Sequence, residues 1–174
     1  MKKIILSLVT LFNVSTLTAE DNIKKVGDIF QMLIPATAYA TTLYVDDVEG
    51  QHQFYKSYAT TMGATFILKY TVNEKRPDSS STDSFPSGHT SRAFAGASFI
   101  HMRYGFEYAW PAYLGAIFTG YSRLEAKAHH PIDVIAGALL GTISSFYFAS
   151  SYKKITFTAN LENDYKGLTL NYKF

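Results

Sequence analysis

The chain contains no cysteine. That removes disulfides, thiolate metal sites and a cysteine nucleophile, and leaves the compartment open. Charge is also scarce. Charged residues make up 17% of the sequence, against about 25% in an average soluble domain. The net charge is only +2 and no Lys/Arg run exceeds two residues. An extended basic surface of the kind that binds nucleic acid is therefore excluded. What is abundant is apolar and aromatic: 47% of residues are hydrophobic, with 13 Tyr and 13 Phe. This balance suits a tightly packed helical protein and is compatible with lipid contact. A length of 174 residues suits one domain with a real core.

The N-terminus carries an address. Lys2 and Lys3 precede an apolar stretch from Ile4 to Val14, then small and polar residues to Ala19. The pattern reads as a bacterial export signal over residues 1–19, cleaved near Ala19. Leu17 at the −3 position fits cleavage poorly, and the competing reading is an uncleaved first membrane helix. Either way the following chain starts outside the cytoplasm.

Five apolar segments follow: Ile29 to Val45, Ser57 to Leu68, Thr90 to Met102, Tyr108 to Ser122 and Val134 to Tyr152. Each is expected to be a helix, and only the last approaches the ~20 residues that span a bilayer unaided. Their Gly, Ala, Ser and Thr content suits closely approaching helices, in a membrane or in a compact soluble bundle. Asp46 to Gly50 reads as an acidic turn and Asp78 to Ser84 as a polar loop without packing residues. Residues 20–152 form the helical domain and residues 153–174 change period. Ile155, Phe157, Ala159 and Leu161 alternate with polar residues, as do Leu168, Leu170, Tyr172 and Phe174. This predicts a β-hairpin whose apolar face packs on the bundle, a neighbour or the membrane surface.

Three clusters carry chemistry. Lys69 is followed, after six residues, by Arg76-Pro77; Pro86-Ser87-Gly88-His89 comes next; then Arg123, five residues, His129, three residues and Asp133. A transferring phosphoryl group spreads negative charge over its equatorial oxygens, so it needs cations and N–H donors, with a nucleophile in line. Lys69, Arg76 and Arg123 supply cations, and Arg offers a planar fork suited to phosphate. Ser87 and Gly88 precede a predicted helix whose N-terminus presents free N–H groups to an anion. Gly88 lets backbone approach closely, and His89 is placed to reach a leaving oxygen. Asp133, four residues after His129 and just past Pro131, can reach back to the imidazole and fix its tautomer.

Together these clusters resemble the signature of the type 2 phosphatidic acid phosphatase superfamily, which also includes bacterial class A acid phosphatases and vanadium haloperoxidases. The stretches FPSGHT at 85–90 and HHPIDVIAGALLG at 129–141 are similar to those of ordinary members, and the resemblance covers about residues 57–150. It implies an all-α helical bundle of that kind, here with a short C-terminal β-hairpin. It implies a phosphatase with His129 as nucleophile, forming a phosphohistidine that water hydrolyses. Asp133 would orient His129, and His89 would protonate the leaving alcohol and then help activate water. Lys69, Arg76, Ser87, Gly88 and Arg123 would hold the phosphate. No cofactor and no metal are implied.

Spacing favours His129 over the adjacent His130. Arg92 and Lys127 are further candidates for substrate binding, Glu125 for pairing with a cation, and Trp110 and Tyr108 for interface anchors. His52 reads as solvated and His101 as a capping or surface residue.

The clusters fall on one side of the ordered segments, as in membrane members of the family, which have six spanning helices and an outward-facing site. Membrane partnership is therefore expected, with a lipid phosphate or pyrophosphate as substrate and the site facing the periplasm. The acidic turn at Asp46 opposes full insertion and Lys153-Lys154 supports it. The alternatives are a soluble periplasmic acid phosphatase of broad specificity and a vanadium-dependent haloperoxidase. Selectivity is expected in the 46–53 and 78–84 loops. No feature specifies an oligomeric state.

Overall fold

The structure is a computed structural model that describes residues 19–152 and the backbone of two C-terminal strands. Its elements are α1 (Ala19–Tyr44), α2 (Val48–Val72), α3 (Gly88–Tyr104), α4 (Phe106–Glu125), α5 (Pro131–Phe148), β1 (Lys154–Glu162) and β2 (Tyr165–Lys173). The expected export segment lies outside the described residues, up to Ala19, which opens α1.

Each apolar segment forms a helix, and polar ends lengthen most of them, but the last stops at Phe148: Ala149 is extended and residues 149–152 lie outside α5. The clearest correction concerns residues 46–53. Asp47 caps α2, accepting a hydrogen bond from Gly50 N at 2.9 Å, and Glu49 lies in the first turn. These residues satisfy the free N–H groups of a helix start and complement its dipole. Most of the expected loop is therefore helix, and His52 is an exposed residue of α2.

This end of the bundle is also far from the signature clusters along α2 and α3. It is closed by a buried polar clamp. Arg103, in the last turn of α3, donates from Nε and Nη2 to Asp47 at 2.7 and 2.5 Å. The Tyr104 hydroxyl adds a bond to Asp47 at 2.9 Å, and Arg103 Nη1 donates to the Ser150 carbonyl at 2.8 Å. The 46–53 segment is thus a fold clamp rather than a selectivity loop. Asp47 is neutralised by Arg103, so the acidic turn opposes insertion less than its composition implies.

The core is built from small residues. Ala38, Ala93, Ala97, Ala109 and Ala116 are fully buried, with Phe99 the largest side chain among them. Buried Thr and Ser hydroxyls are satisfied by helix carbonyls, as in Thr61 to Ser57 O and Ser145 to Ala95 O. Helix α3 packs against all four other helices. A Cβ on Gly137 would lie 2.5 Å from the Ser87 carbonyl, and one on Gly141 would lie 2.4 Å from the Ser91 carbonyl. Only glycine permits this approach of α5 to α3. The large apolar side chains lie outside: Met32, Leu33, Phe66, Ile67, Trp110, Leu114, Ile117, Leu139, Ile143 and Tyr147 are all about half exposed or more. Trp110 and Tyr108 are accordingly surface residues.

The strands pair antiparallel, with Ile155 opposite Tyr172, Phe157 opposite Leu170 and Ala159 opposite Leu168. The register puts the alternating apolar positions of both strands on one face. What that face packs on lies outside the described residues.

Candidate active site

The signature residues sit where α2 and α4 end and α3 and α5 begin. Lys69 is in the last turn of α2, Ser87 caps α3, Gly88 and His89 open it, Arg123 is in the last turn of α4, and Asp133 is in the first turn of α5. His129 lies in the short connection before α5, two residues ahead of Pro131. Pro at the helix start lacks only an N–H that would be unsatisfied there.

The His129 and Asp133 side chains are almost fully buried, with Nδ1 of His129 3.4 Å from Oδ2 of Asp133. That is slightly beyond hydrogen-bond length, and among the described residues neither Nδ1 of His129 nor Oδ1 of Asp133 has a hydrogen-bond partner. Oδ2 of Asp133 is pinned by two other donors, Ser84 Oγ at 2.5 Å and His130 N at 2.8 Å. Burial holds His129 well below the usual imidazole range, to about 4, with Lys69 and Arg76 reinforcing and Asp133 opposing. The ring is therefore neutral at physiological pH. Nδ1 faces Asp133, which leaves Nε2 as the other ring nitrogen. His130 instead places Nε2 3.1 Å from the Lys75 carbonyl.

Two of the cations are organised by the 78–84 loop, which was expected to be polar, without packing residues, and to carry selectivity. Lys69 Nζ donates to the Asp83 carbonyl at 2.5 Å, and Arg76 donates to the Asp83 carboxylate from Nε and Nη2 at 3.0 and 3.3 Å. A hydrogen bond from Ser81, then Arg76 and its charge, hold the Asp83 carboxyl down to about 2 against a desolvation cost. The loop is closed by Ser84 N to Glu74 O and Arg76 N to Ser81 O, both at 2.9 Å. Asp83 and Ser84 were therefore missed by sequence reasoning.

Arg123 is anchored differently. Its Nε and Nη2 donate to Ser122 Oγ at 3.1 and 3.0 Å, Nη2 to the Lys24 carbonyl at 2.8 Å, and Nη1 to Asp28 Oδ1 at 2.9 Å. The same Asp28 oxygen lies 3.0 Å from Nε2 of His89. Asp28 was also missed. Gly27 allows the contact, since a Cβ there would lie 2.0 Å from Ser122 Oγ.

Ser87 is fully buried, and its Oγ accepts from Thr90 N and Thr90 Oγ1 at 3.4 and 2.9 Å. This caps α3 and leaves the serine O–H to donate elsewhere. A Cβ on Gly88 would meet only Lys69 Cε and Thr65 Cγ2, at 3.8 Å. The protein itself leaves space there.

Among the other candidates, Arg92 donates to Gln31 at 2.8 Å. Lys127 is exposed, and its carbonyl accepts from Asp78 N. Among the described residues Glu125 forms no ion pair with a cation, and its carboxylate lies close enough to Tyr121 to act on that hydroxyl. His101 lies half-buried, with Nδ1 3.2 Å from Tyr113 OH, rather than capping at the surface. A cavity of about 220 Å³ opens beside Lys69, lined by Phe66, Tyr70, Asn73, Thr82 and Asp83. An apolar groove of about 400 Å³ runs between α1 and α2, past Met32, Pro35, Tyr39 and Tyr58.

The family model of the PAP2 superfamily matches residues 52–157. The chain is similar to the lipid A 4'-phosphatase of Helicobacter pylori, at 28% identity over 83% of this chain and 79% of that protein. It is 41% identical to the lipid A 1-phosphatase of Porphyromonas gingivalis over 43% of this chain, a match that spans only 18% of that relative. It is 32% identical to the undecaprenyl-diphosphatase BcrC of Bacillus subtilis over 47% of this chain and 42% of that protein. Among solved structures, LpxE of Aquifex aeolicus shares the fold, with a TM-score of 0.54 at 22% identity over 73% of this chain and 92% of that one.

Proposed function

The chain belongs to the PAP2 superfamily, and from that premise we propose that it is a lipid phosphatase acting through His129. The observation that carries the reading is the buried, neutral His129 beside a pinned Asp133, with Lys69, Arg76, Ser87, Gly88 and Arg123 converging at the same end of the bundle.

Nε2 of His129 attacks phosphorus in line, and the P–O bond to the leaving group breaks as the P–N bond forms. His89, as the imidazolium that the neighbouring Asp28 carboxylate favours against burial, gives a proton to the departing oxygen and becomes neutral. Asp133 stabilises the imidazolium that develops. Lys69, Arg76, Arg123 and the N–H groups at the start of α3 stabilise the equatorial oxygens. His89 then takes a proton from water, the water oxygen bonds to phosphorus, the P–N bond breaks, and inorganic phosphate leaves. No step calls on a metal.

A lipid substrate fits the surface of the bundle. Soluble proteins rarely surround a small-residue core with so many half-exposed large apolar side chains. Helices that approach on Gly, Ala, Ser and Thr while facing lipid with Leu, Ile and Phe show this arrangement. Helix α5 is long and apolar enough to cross a membrane, and only 28% of it is buried. The relatives named for lipid A and undecaprenyl diphosphate point the same way. The export-like N-terminus and Lys153-Lys154 after α5 favour a site facing the periplasm.

Purified protein in detergent should release phosphate from lipid phosphates faster than from p-nitrophenyl phosphate. Release should proceed in the presence of a chelator, be inhibited by orthovanadate and vanish in His129→Ala. Full activity in that variant would sink the reading, and equal rates on both substrates would remove the lipid from it.

A further inference from the structure

Asp28 lies on α1, outside every signature cluster, yet one of its oxygens joins two of them. Oδ1 accepts from Arg123 Nη1 at 2.9 Å and lies 3.0 Å from His89 Nε2. The Arg123 side chain is 3% exposed and that of His89 29%, so neither is a loose surface group. The close packing that brings α1 here is specific. Gly27 is buried against Ser122 and Arg123, and the Lys24 carbonyl holds the other side of the guanidinium.

We propose that Asp28 is a positioning residue: its carboxylate fixes the His89 ring and the Arg123 guanidinium relative to each other, so that the acid–base group and the phosphate clamp act as one unit. The inference rests on the phosphatase reading above.

The geometry fixes one ring nitrogen. An acceptor at Nε2 keeps a proton there, so Nδ1 of His89 is the nitrogen left for exchange, and it donates only when the ring is imidazolium. Burial and then Arg123 hold His89 down to about 4, and the Asp28 carboxylate opposes them by favouring that charged form. This mirrors His129, where Asp133 faces Nδ1 and Nε2 reacts. The site then holds two carboxylate–imidazole pairs of opposite ring orientation, one for the nucleophile and one for the proton.

The position of Asp28 also carries a cost. A carboxylate within hydrogen-bond reach of two cradle groups repels an incoming phosphate. Binding and catalysis should therefore respond in opposite directions when its charge is removed, which a residue that merely braces α1 would not produce.

The test is Asp28→Asn, which keeps shape and removes charge, assayed beside wild type and His129→Ala in one detergent. The expected result is a fall in kcat of about 10- to 100-fold, less than the ~10²- to 10⁴-fold that a general acid–base group itself contributes, while KM and the inhibition constant for orthovanadate fall or hold. The melting temperature should stay near wild type. Asp28→Ala should show the same split with a deeper loss of kcat, and it serves if the Asn variant folds poorly. An unchanged kcat in both variants overturns the proposal. So does a rise in KM together with a lower melting temperature, which marks a bracing role. A wild type that releases no phosphate is a failure of the phosphatase reading itself, whereas an active wild type matched by both variants fails only this inference.

Discussion

The hydroxyl of Ser84 donates to Oδ2 of Asp133 across 2.5 Å, although 49 residues separate them. A short loop thereby reaches under His129 and holds the carboxylate beside it. Loss of a hydrogen bond to a buried carboxylate costs about 1–3 kcal/mol. With the whole cost falling on the transition state, Ser84→Ala should lower kcat by about 5- to 160-fold, at ~1.36 kcal/mol per factor of ten, with little effect on KM. Steady-state kinetics on one lipid phosphate would check this, and an unchanged kcat would show that His130 N alone suffices.

Asp83→Asn should act on the other side of the cradle. It removes the charge that Arg76 pairs with and weakens the loop that places Lys69. The expected outcome is weaker phosphate binding, seen as a severalfold higher inhibition constant for orthovanadate. Tighter binding would mean that Asp83 opposes the anion more than it organises the cations.

The buried clamp at the far end governs stability. Asp47→Ala leaves the Arg103 guanidinium buried without its carboxylate, a loss of about 3–5 kcal/mol. Denaturation in detergent should show it. A shift within error of wild type would mean that water or Ser150 replaces the lost partner.

Glycine positions should separate cleanly. Gly141→Leu drives a side chain into the Ser91 carbonyl and should yield little folded protein. Gly63, on α2, has no atom within 4 Å of a would-be Cβ. Gly63→Ala should be neutral or stabilise by about 0.5–1 kcal/mol, the usual gain in a helix. Equal folded yields of the two variants would contradict the close α3–α5 packing.

The depressed His129 sets a pH window. A histidine near 6.5 in the unfolded chain and about 4 in the folded one binds its proton first in the unfolded state. Between those values the unfolded chain holds more protons, so stability rises with pH and falls as pH drops from about 6.5 toward 4. The unfolding midpoint of wild type should fall more steeply over that range than that of His129→Gln. Parallel slopes would place the ordinary imidazole range at His129.

The signature residues were legible because their spacing is fixed by elements that begin and end at one side. Lys69, His89, Arg123, His129 and Asp133 all fall at helix termini, and short apolar segments mark those termini. Asp28 was not legible. It sits in the α1 helix, which the sequence suggested only from Ile29 onward, and its importance comes from contacts 95 positions away. Ser84 was hidden for another reason: a polar loop has no periodicity, so nothing distinguishes the one hydroxyl that turns inward. Asp47 misled through composition. A cluster of acids reads equally as a turn or as a helix start, and the buried Arg103 that decides between them is distant in sequence.

Helix α3 begins with His89 in its first turn and ends with Arg103 in its last. The 17-residue helix is about 25 Å long at ~1.5 Å per residue. The clamp fixes one of its ends, and the candidate site occupies the other. A tilt of about two degrees at the clamped end swings the far tip by about 1 Å, a misplacement able to cost about 100-fold in rate. Damage to the Asp47–Arg103 pair should therefore register as lost turnover in molecules that are still folded, with every residue of the cradle intact.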